Sequence, residues 1–171
     1  RKVGPPPESL PGSRMVAFQS GSGSTIRAWY APGKPSRGIV VLAHPVRADR
    51  RSMLSRAEFL QRAGFGVLLY DAQAHGESAG DRITFGFLEA RDAAAAVAFA
   101  AEQDPGAPVA FIGVSLGGAA ALLGEKPLPV SALVLEAVYP TIHEAIANRV
   151  SLRLGEPGRF LAPFLLWQLP M

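Results

Sequence analysis

Apolar residues gather along the chain into short runs separated by longer segments of mixed polarity. The first two runs, RMVAFQS and TIRAWYAP, flank the glycine-serine turn GSGS at 21–24 and predict a β-hairpin. GIVVLAH at 38–44 differs in kind, being continuous, β-branched and without a polar face, as in a strand buried on both sides of a parallel sheet. FGVLLYD and PVAFIGVS repeat that pattern, and VSALVLEAVYP reads as a further strand. Between these runs the period changes. In SMLSRAEFLQRAG, Met53, Leu54, Ala57, Phe59, Leu60 and Ala63 recur near helical spacing and Gly64 supplies a stop. TFGFLEARDAAAAVAFAAEQDPG reads as a long alanine-rich helix closed by Pro105 and Gly106, and AAALLG as a third helix. The proline-rich opening, RKVGPPPESLPGS, predicts an extended lead-in.

Strands alternating with helices predict the α/β class, a mostly parallel sheet with helices on both faces. Ligands on such sheets bind at the carboxyl ends of the strands. The residues that follow the strands are His44 to Arg47, Asp71 to Ser78, Gly113 to Gly118 and Glu136 to Thr141, and polar side chains gather there.

Composition narrows the function classes. A chain of 171 residues suits one domain with a real core, and 49% hydrophobic against 18% charged residues excludes a disordered tail. The absence of cysteine rules out a disulfide framework and a thiolate metal site. His44, His75 and His143 lie in unrelated contexts without ligand spacing, so no metal is expected. The net charge of +3 is scattered apart from RADRR at 47–51, which reads as a solvated, salt-bridged loop. With no concentrated basic face and no stacking aromatics, no nucleic-acid partner is expected. No stretch reaches the roughly 18 apolar residues of a membrane span, and FLAPFLLWQLPM is broken by Pro163 and Pro170. The chain opens on Arg1 and stops at QLPM, so both ends read as cut. An anchor or signal segment upstream of Arg1 stays open, and with it a cytoplasmic or membrane-anchored location.

Candidate chemistry concentrates in IGVSLGGAAALL at 112–123. A serine hydroxyl is a weak nucleophile unless it is exposed, near a base, and beside donors for a developing oxyanion. A turn from buried strand directly into helix lifts Ser115 above the sheet edge in a crowded backbone conformation. Small residues two before and two after relieve that crowding, which is the physical content of G-x-S-x-G; here the five residues are Gly113, Val114, Ser115, Leu116 and Gly117. An ordinary serine in a glycine-rich turn would look the same in isolation. The buried strand before it, the apolar helix after it and the loops at neighbouring strand ends favour the nucleophile.

Three motifs together, LAHPVRADR at 42–50, YDAQAHGESAG at 70–80 and GVSLGG at 113–118, resemble the α/β-hydrolases, in particular the branch of serine aminopeptidase-like, lysophospholipase-like and general esterase proteins. The first is similar to the family's H-G-x loop, with Pro45 where glycine is usual; the second resembles D-x-x-G-H-G-x-S, with Ala74 in place of its first glycine. The resemblance implies that Leu116 and Val46 donate their backbone N–H groups to the oxyanion. Pro45 has no N–H and can only fix the loop that aims Val46. His44 is expected to be a hydrogen-bonded loop anchor, and Asp71 and His75 to shape the pocket floor rather than act as acid and base.

The family's chain order is serine, acid, histidine, with the acid after the seventh strand and the histidine after the eighth. With VSALVLE as the sixth strand, the fold is expected to be incomplete at the C-terminus, by two βα units of about 30 residues each. Glu136 reads as a strand-end carboxylate holding a loop, and His143 as a cap residue. Residues 1–138 are then the N-terminal part of the hydrolase core, strands one to six. Residues 139–171 are the start of a cap whose apolar face suits an acyl substrate, or ordinary core contacts of the same domain.

The implied function is a serine hydrolase that cleaves an apolar ester, or less readily an amide, through an acyl-enzyme on Ser115, with no cofactor. The fragment alone is expected to be inactive. Rival readings are a non-catalytic binding module on the same scaffold, and an acyltransferase or perhydrolase that uses the same nucleophile.

Overall fold

The structure, a computed structural model, describes residues 2–138 together with 141 and 144. The chain divides into two units, Arg1–Val138 and Tyr139–Met171; the cap reading of 139–171 and the role of His143 lie outside the described residues.

The first unit holds β1 (Arg14–Gln19), β2 (Thr25–Ala31), β3 (Ile39–Ala43), β4 (Gly66–Tyr70), β5 (Val109–Val114) and β6 (Ala132–Glu136) in one sheet ordered β1-β2-β4-β3-β5-β6. The hairpin is antiparallel and joins β4 antiparallel through β2, whereas β4, β3, β5 and β6 run parallel. β3 therefore lies mid-sheet, with Ala43 opposite Tyr70 on one side and Gly113 on the other. That register brings the ends of β3, β4 and β5 to one edge.

Helices cover both faces. Val41 and Ala43 pack in a cluster with Ala93, Ala96, Val97 and Ala100 of α2 (Glu89–Gln103) and Ala120 and Ala121 of α3 (Leu116–Leu122). Val40 and Leu42 pack in a second cluster with Met53 and with Ala57 of α1 (Leu54–Arg62). Alternate residues of one strand thus enter different cores, which is why the run lacks a polar face. Fully burying side chains such as Val41 and Leu42 contributes about 1.5–3 kcal/mol each.

Three details depart from the sequence reading. Phe59 is 65% exposed, because it lies two residues, about 200° of helical rotation, from the buried Ala57. α2 begins at Glu89 rather than near Thr84. Phe85 and Gly86 have positive φ (52° and 115°), and the Glu89 carboxylate accepts the N–H groups of Thr84 (2.9 Å) and Gly86 (2.8 Å), drawing these residues into a turn ahead of the helix. The RADRR run is only partly solvated, since Arg50 is fully buried.

Candidate active site

β5 passes into α3 through Ser115, whose φ of 50° and ψ of −108° form a strained conformation for a residue with a side chain. Such strain costs about 1–3 kcal/mol and persists only where the surroundings over-determine it. The Ser115 N–H donates to Glu136 O and the Ala119 N–H donates to Ser115 O, both at 2.9 Å. A Cβ on Gly113 would lie 2.6 Å from Gly117 C, and one on Gly117 would lie 2.5 Å from Ala43 O. A Cβ on Gly118 would strike Val138. The small residues flanking Ser115 are therefore required by close approach. The Gly117 contact seats the first turn of α3 directly on the end of β3.

The loop that leaves β3 at that point carries His44, Pro45, Val46 and Arg47. Val46 is half-buried and Arg47 has a left-handed φ of 61°. Pro45 O accepts the Ala48 N–H at 3.2 Å. Among the described residues, the N–H groups of Val46 and Leu116 donate no intramolecular hydrogen bond. Leu116 opens α3, where N–H groups have no helical partner. Two N–H groups without an intramolecular acceptor thus occur at this edge of the sheet, one in the loop after β3 and one on the first residue of α3, next to Ser115 in the chain.

Neither nearby histidine is free. His44 Nδ1 lies 2.8 Å from Pro45 O, and its Nε2 accepts the Ala72 N–H at 3.1 Å. His75 Nδ1 lies 2.9 Å from Gln73 O, and its Nε2 accepts the Arg47 N–H at 3.3 Å. Carbonyl partners at Nδ1 and N–H partners at Nε2 fix the same neutral tautomer in both rings, with the proton on Nδ1. Burial is the main cause that lowers the His44 pKa from 6.5 to about 4, and the adjacent His75 ring lowers it further. The expected loop-anchor role of His44 matches these bonds. As a base for Ser115, either ring would first have to abandon its backbone partners.

Asp71, fully buried, accepts the backbone N–H of Arg50 (2.7 Å), Arg50 Nη1 (2.7 Å) and the Glu77 N–H (2.8 Å). Arg50 also pairs with Glu77 and stacks over Trp29, its guanidinium carbon 5.0 Å from the ring centroid. Glu77 Oε1 accepts the N–H groups of Val3 and Gly4 at 3.1 Å each, so this network also secures the lead-in. Glu136 faces α1, where Arg56 Nε donates to it at 3.0 Å, and that bond to the Arg56 guanidinium holds its carboxyl below the usual carboxylate range.

Sequence reasoning missed a further set of buried carboxylates, Glu89 and Asp92. Asp92 accepts the hydroxyls of Ser20 (2.5 Å) and Ser22 (2.6 Å) and the Gln73 N–H (2.8 Å), tying the hairpin turn, the β4 loop and α2 together. Gln73 Nε2 donates to Glu89 at 3.2 Å. The available signal was two acids, Glu89 and Asp92, three apart on the sheet-facing side of an otherwise alanine-rich helix.

The family model for serine aminopeptidase, S33, matches residues 34–166. Two uncharacterized proteins from strains of Mycobacterium tuberculosis are 34% identical over 150 residues, covering 83% of this chain and 52% of their own length. The chain therefore spans about half the length of the curated relatives it matches. Among solved structures, the Pyrococcus furiosus esterase Pf2001 is 25% identical, with a TM-score of 0.65 over 71% of this chain and 49% of that one. The α/β hydrolase GrgF from Penicillium is 24% identical, with a TM-score of 0.66 over 93% of this chain and 57% of that one.

Proposed function

Since the chain belongs to the serine aminopeptidase S33 family and has the α/β-hydrolase fold, we propose that its protein is a serine hydrolase acting on carboxylic esters with an apolar acyl group. Ser115 is the nucleophile, and the N–H groups of Val46 and Leu116 form the oxyanion hole. In the acylation step the Ser115 hydroxyl gives its proton to a base while Oγ bonds to the carbonyl carbon. The carbonyl π electrons move onto oxygen, where the two N–H groups hold the negative charge. Collapse re-forms the carbonyl, breaks the ester C–O bond and sends the proton from the base to the departing alcohol. Water repeats the sequence to release the acid. Because His44 and His75 are occupied by backbone groups, the reading assigns the base and its acid partner to residues that follow β6.

The observation that supports this reading is the strained backbone at Ser115, in a turn whose Gly117 is pressed against the end of β3, together with N–H groups of Val46 and Leu116 that have no intramolecular acceptor. An ester rather than an amide substrate is favoured by the similarity to the Pyrococcus esterase. The test assays the full-length protein and its Ser115→Ala variant on p-nitrophenyl acetate, butyrate and octanoate, beside aminoacyl p-nitroanilides. Ester turnover that disappears in Ser115→Ala is expected. Faster turnover of the anilides would overturn the ester assignment, and ester turnover unchanged in the variant would overturn the nucleophile.

A further inference from the structure

Pro45 C=O and Val46 N–H belong to one peptide unit. In a trans peptide these two bonds point in opposite directions, and no cis peptide occurs among the described residues. Whatever holds the Pro45 carbonyl therefore aims the Val46 N–H. That carbonyl lies 2.8 Å from His44 Nδ1, the nitrogen whose proton the Ala72 N–H at Nε2 dictates. The next peptide unit is held as well, because the Arg47 N–H donates to His75 Nε2 at 3.3 Å while Arg47 adopts a left-handed φ of 61°. The two rings cross between loops: His44, after β3, takes an N–H from the β4 loop, and His75, in the β4 loop, takes one from the β3 loop. They pack with centroids 4.9 Å apart. Each peptide plane flanking Val46 is thus contacted by an imidazole, the first of them sharing the Pro45 carbonyl with the Ala48 N–H at 3.2 Å.

On the reading that Val46 is an oxyanion donor, we propose that His44 and His75 are positioning residues that jointly orient the Val46 N–H toward the carbonyl carried on Ser115. His44 acts through the Pro45 carbonyl and His75 through the Arg47 N–H. A hydrogen bond accepted by the Pro45 carbonyl also polarises the shared peptide and strengthens its N–H as a donor. The electrostatic demand on Val46 rises only as charge develops on the substrate oxygen, so the pair acts on kcat rather than on ground-state binding.

Amide replacements separate this role from simple loop stapling. Asn at 44 carries an N–H near the place of Nδ1 and can serve Pro45 O; Gln carries an oxygen near the place of Nε2 and can serve the Ala72 N–H. If His44 merely stapled the loops, Gln would be the better substitute, because the bond to Ala72 is the one that crosses between them. The proposal requires the reverse. In the full-length protein assayed with p-nitrophenyl butyrate, His44→Gln should lower kcat by about 10- to 100-fold with KM changed less than about twofold, the order of losing much of one oxyanion donor. His44→Asn should stay within about fivefold of wild type. At 75 the preference inverts: His75→Gln, which can still accept the Arg47 N–H, should retain kcat better than His75→Asn. Either residue tests the idea if variants at the other fail to fold. Equal losses for Gln and Asn at both positions, or losses in KM rather than kcat, would overturn the positioning role. Ser115→Ala is run in parallel. If it leaves turnover intact, the nucleophile reading fails; if it abolishes turnover while His44→Gln keeps wild-type kcat, the positioning role alone fails.

Discussion

At Ser115 the demands of reactivity and of stability oppose each other. Its φ of 50° and ψ of −108° suit glycine, and strain of this kind costs about 1–3 kcal/mol. Glycine would relieve it but lose about 0.5–1 kcal/mol through the freer unfolded chain. The strain is the larger quantity, so Ser115→Gly should melt about 2–4 °C above Ser115→Ala, the shift expected for roughly 1 kcal/mol in a domain of this size. Calorimetry of the two variants measures this directly, and an equal or lower Tm for the glycine variant would contradict a strained elbow. His44 makes a second prediction. Burial first, with the His75 ring adding to it, lowers its folded pKa to about 4 from an unfolded 6.5, so between those values the unfolded chain binds the extra proton. Stability from this group is complete above pH 6.5 and declines as pH falls toward 4, by about 3 kcal/mol in all. Urea titrations at pH 7 and pH 4.5 should show a smaller loss of stability in His44→Gln than in wild type. Identical losses would mean that His44 is not held neutral.

What the chain pattern made legible at the scale of elements, and what it hid, follows from the distance over which each feature is decided. The β3, β4 and β5 strands and the Ser115 turn were readable because burial on both faces and close approach leave local traces, as in VVLA and G-x-S-x-G. Hydrogen-bonded anchoring by His44 was also legible, from its place beside a strand end. Arg50 was misread as part of a solvated run because its partners, Asp71 and Glu77, are more than 20 residues away and its cover, Trp29, lies on β2. The early start assigned to α2 overlooked Glu89, whose carboxylate gathers the preceding turn. The Arg50 network carries its own prediction. Arg50→Met leaves the buried Asp71 carboxylate without its guanidinium and should cost about 3–5 kcal/mol. Adding Asp71→Asn should recover part of that loss, because it removes the buried charge while its single amide oxygen still accepts one of the two N–H groups, of residue 50 or of Glu77, that reach different carboxylate oxygens of Asp71. Urea denaturation of the single and double variants gives the coupling; strictly additive losses would show that charge burial is not the cause.

The sheet of the first unit brings the β3 loop, the β4 loop and the Ser115 elbow to one edge, and its register follows from strand pairings that no single segment reveals. The three motifs read separately in the sequence thereby become one arrangement: a strained serine, two unpartnered N–H groups and two histidines committed to backbone partners. The central claim is that Ser115 is the reactive group of this arrangement. Treating the full-length protein with a fluorophosphonate probe and mapping the adduct by mass spectrometry tests it most directly. The account predicts a single adduct on the peptide containing Ser115, absent from Ser115→Ala; an adduct on another serine, or labelling of Ser115→Ala at the wild-type rate, would contradict it.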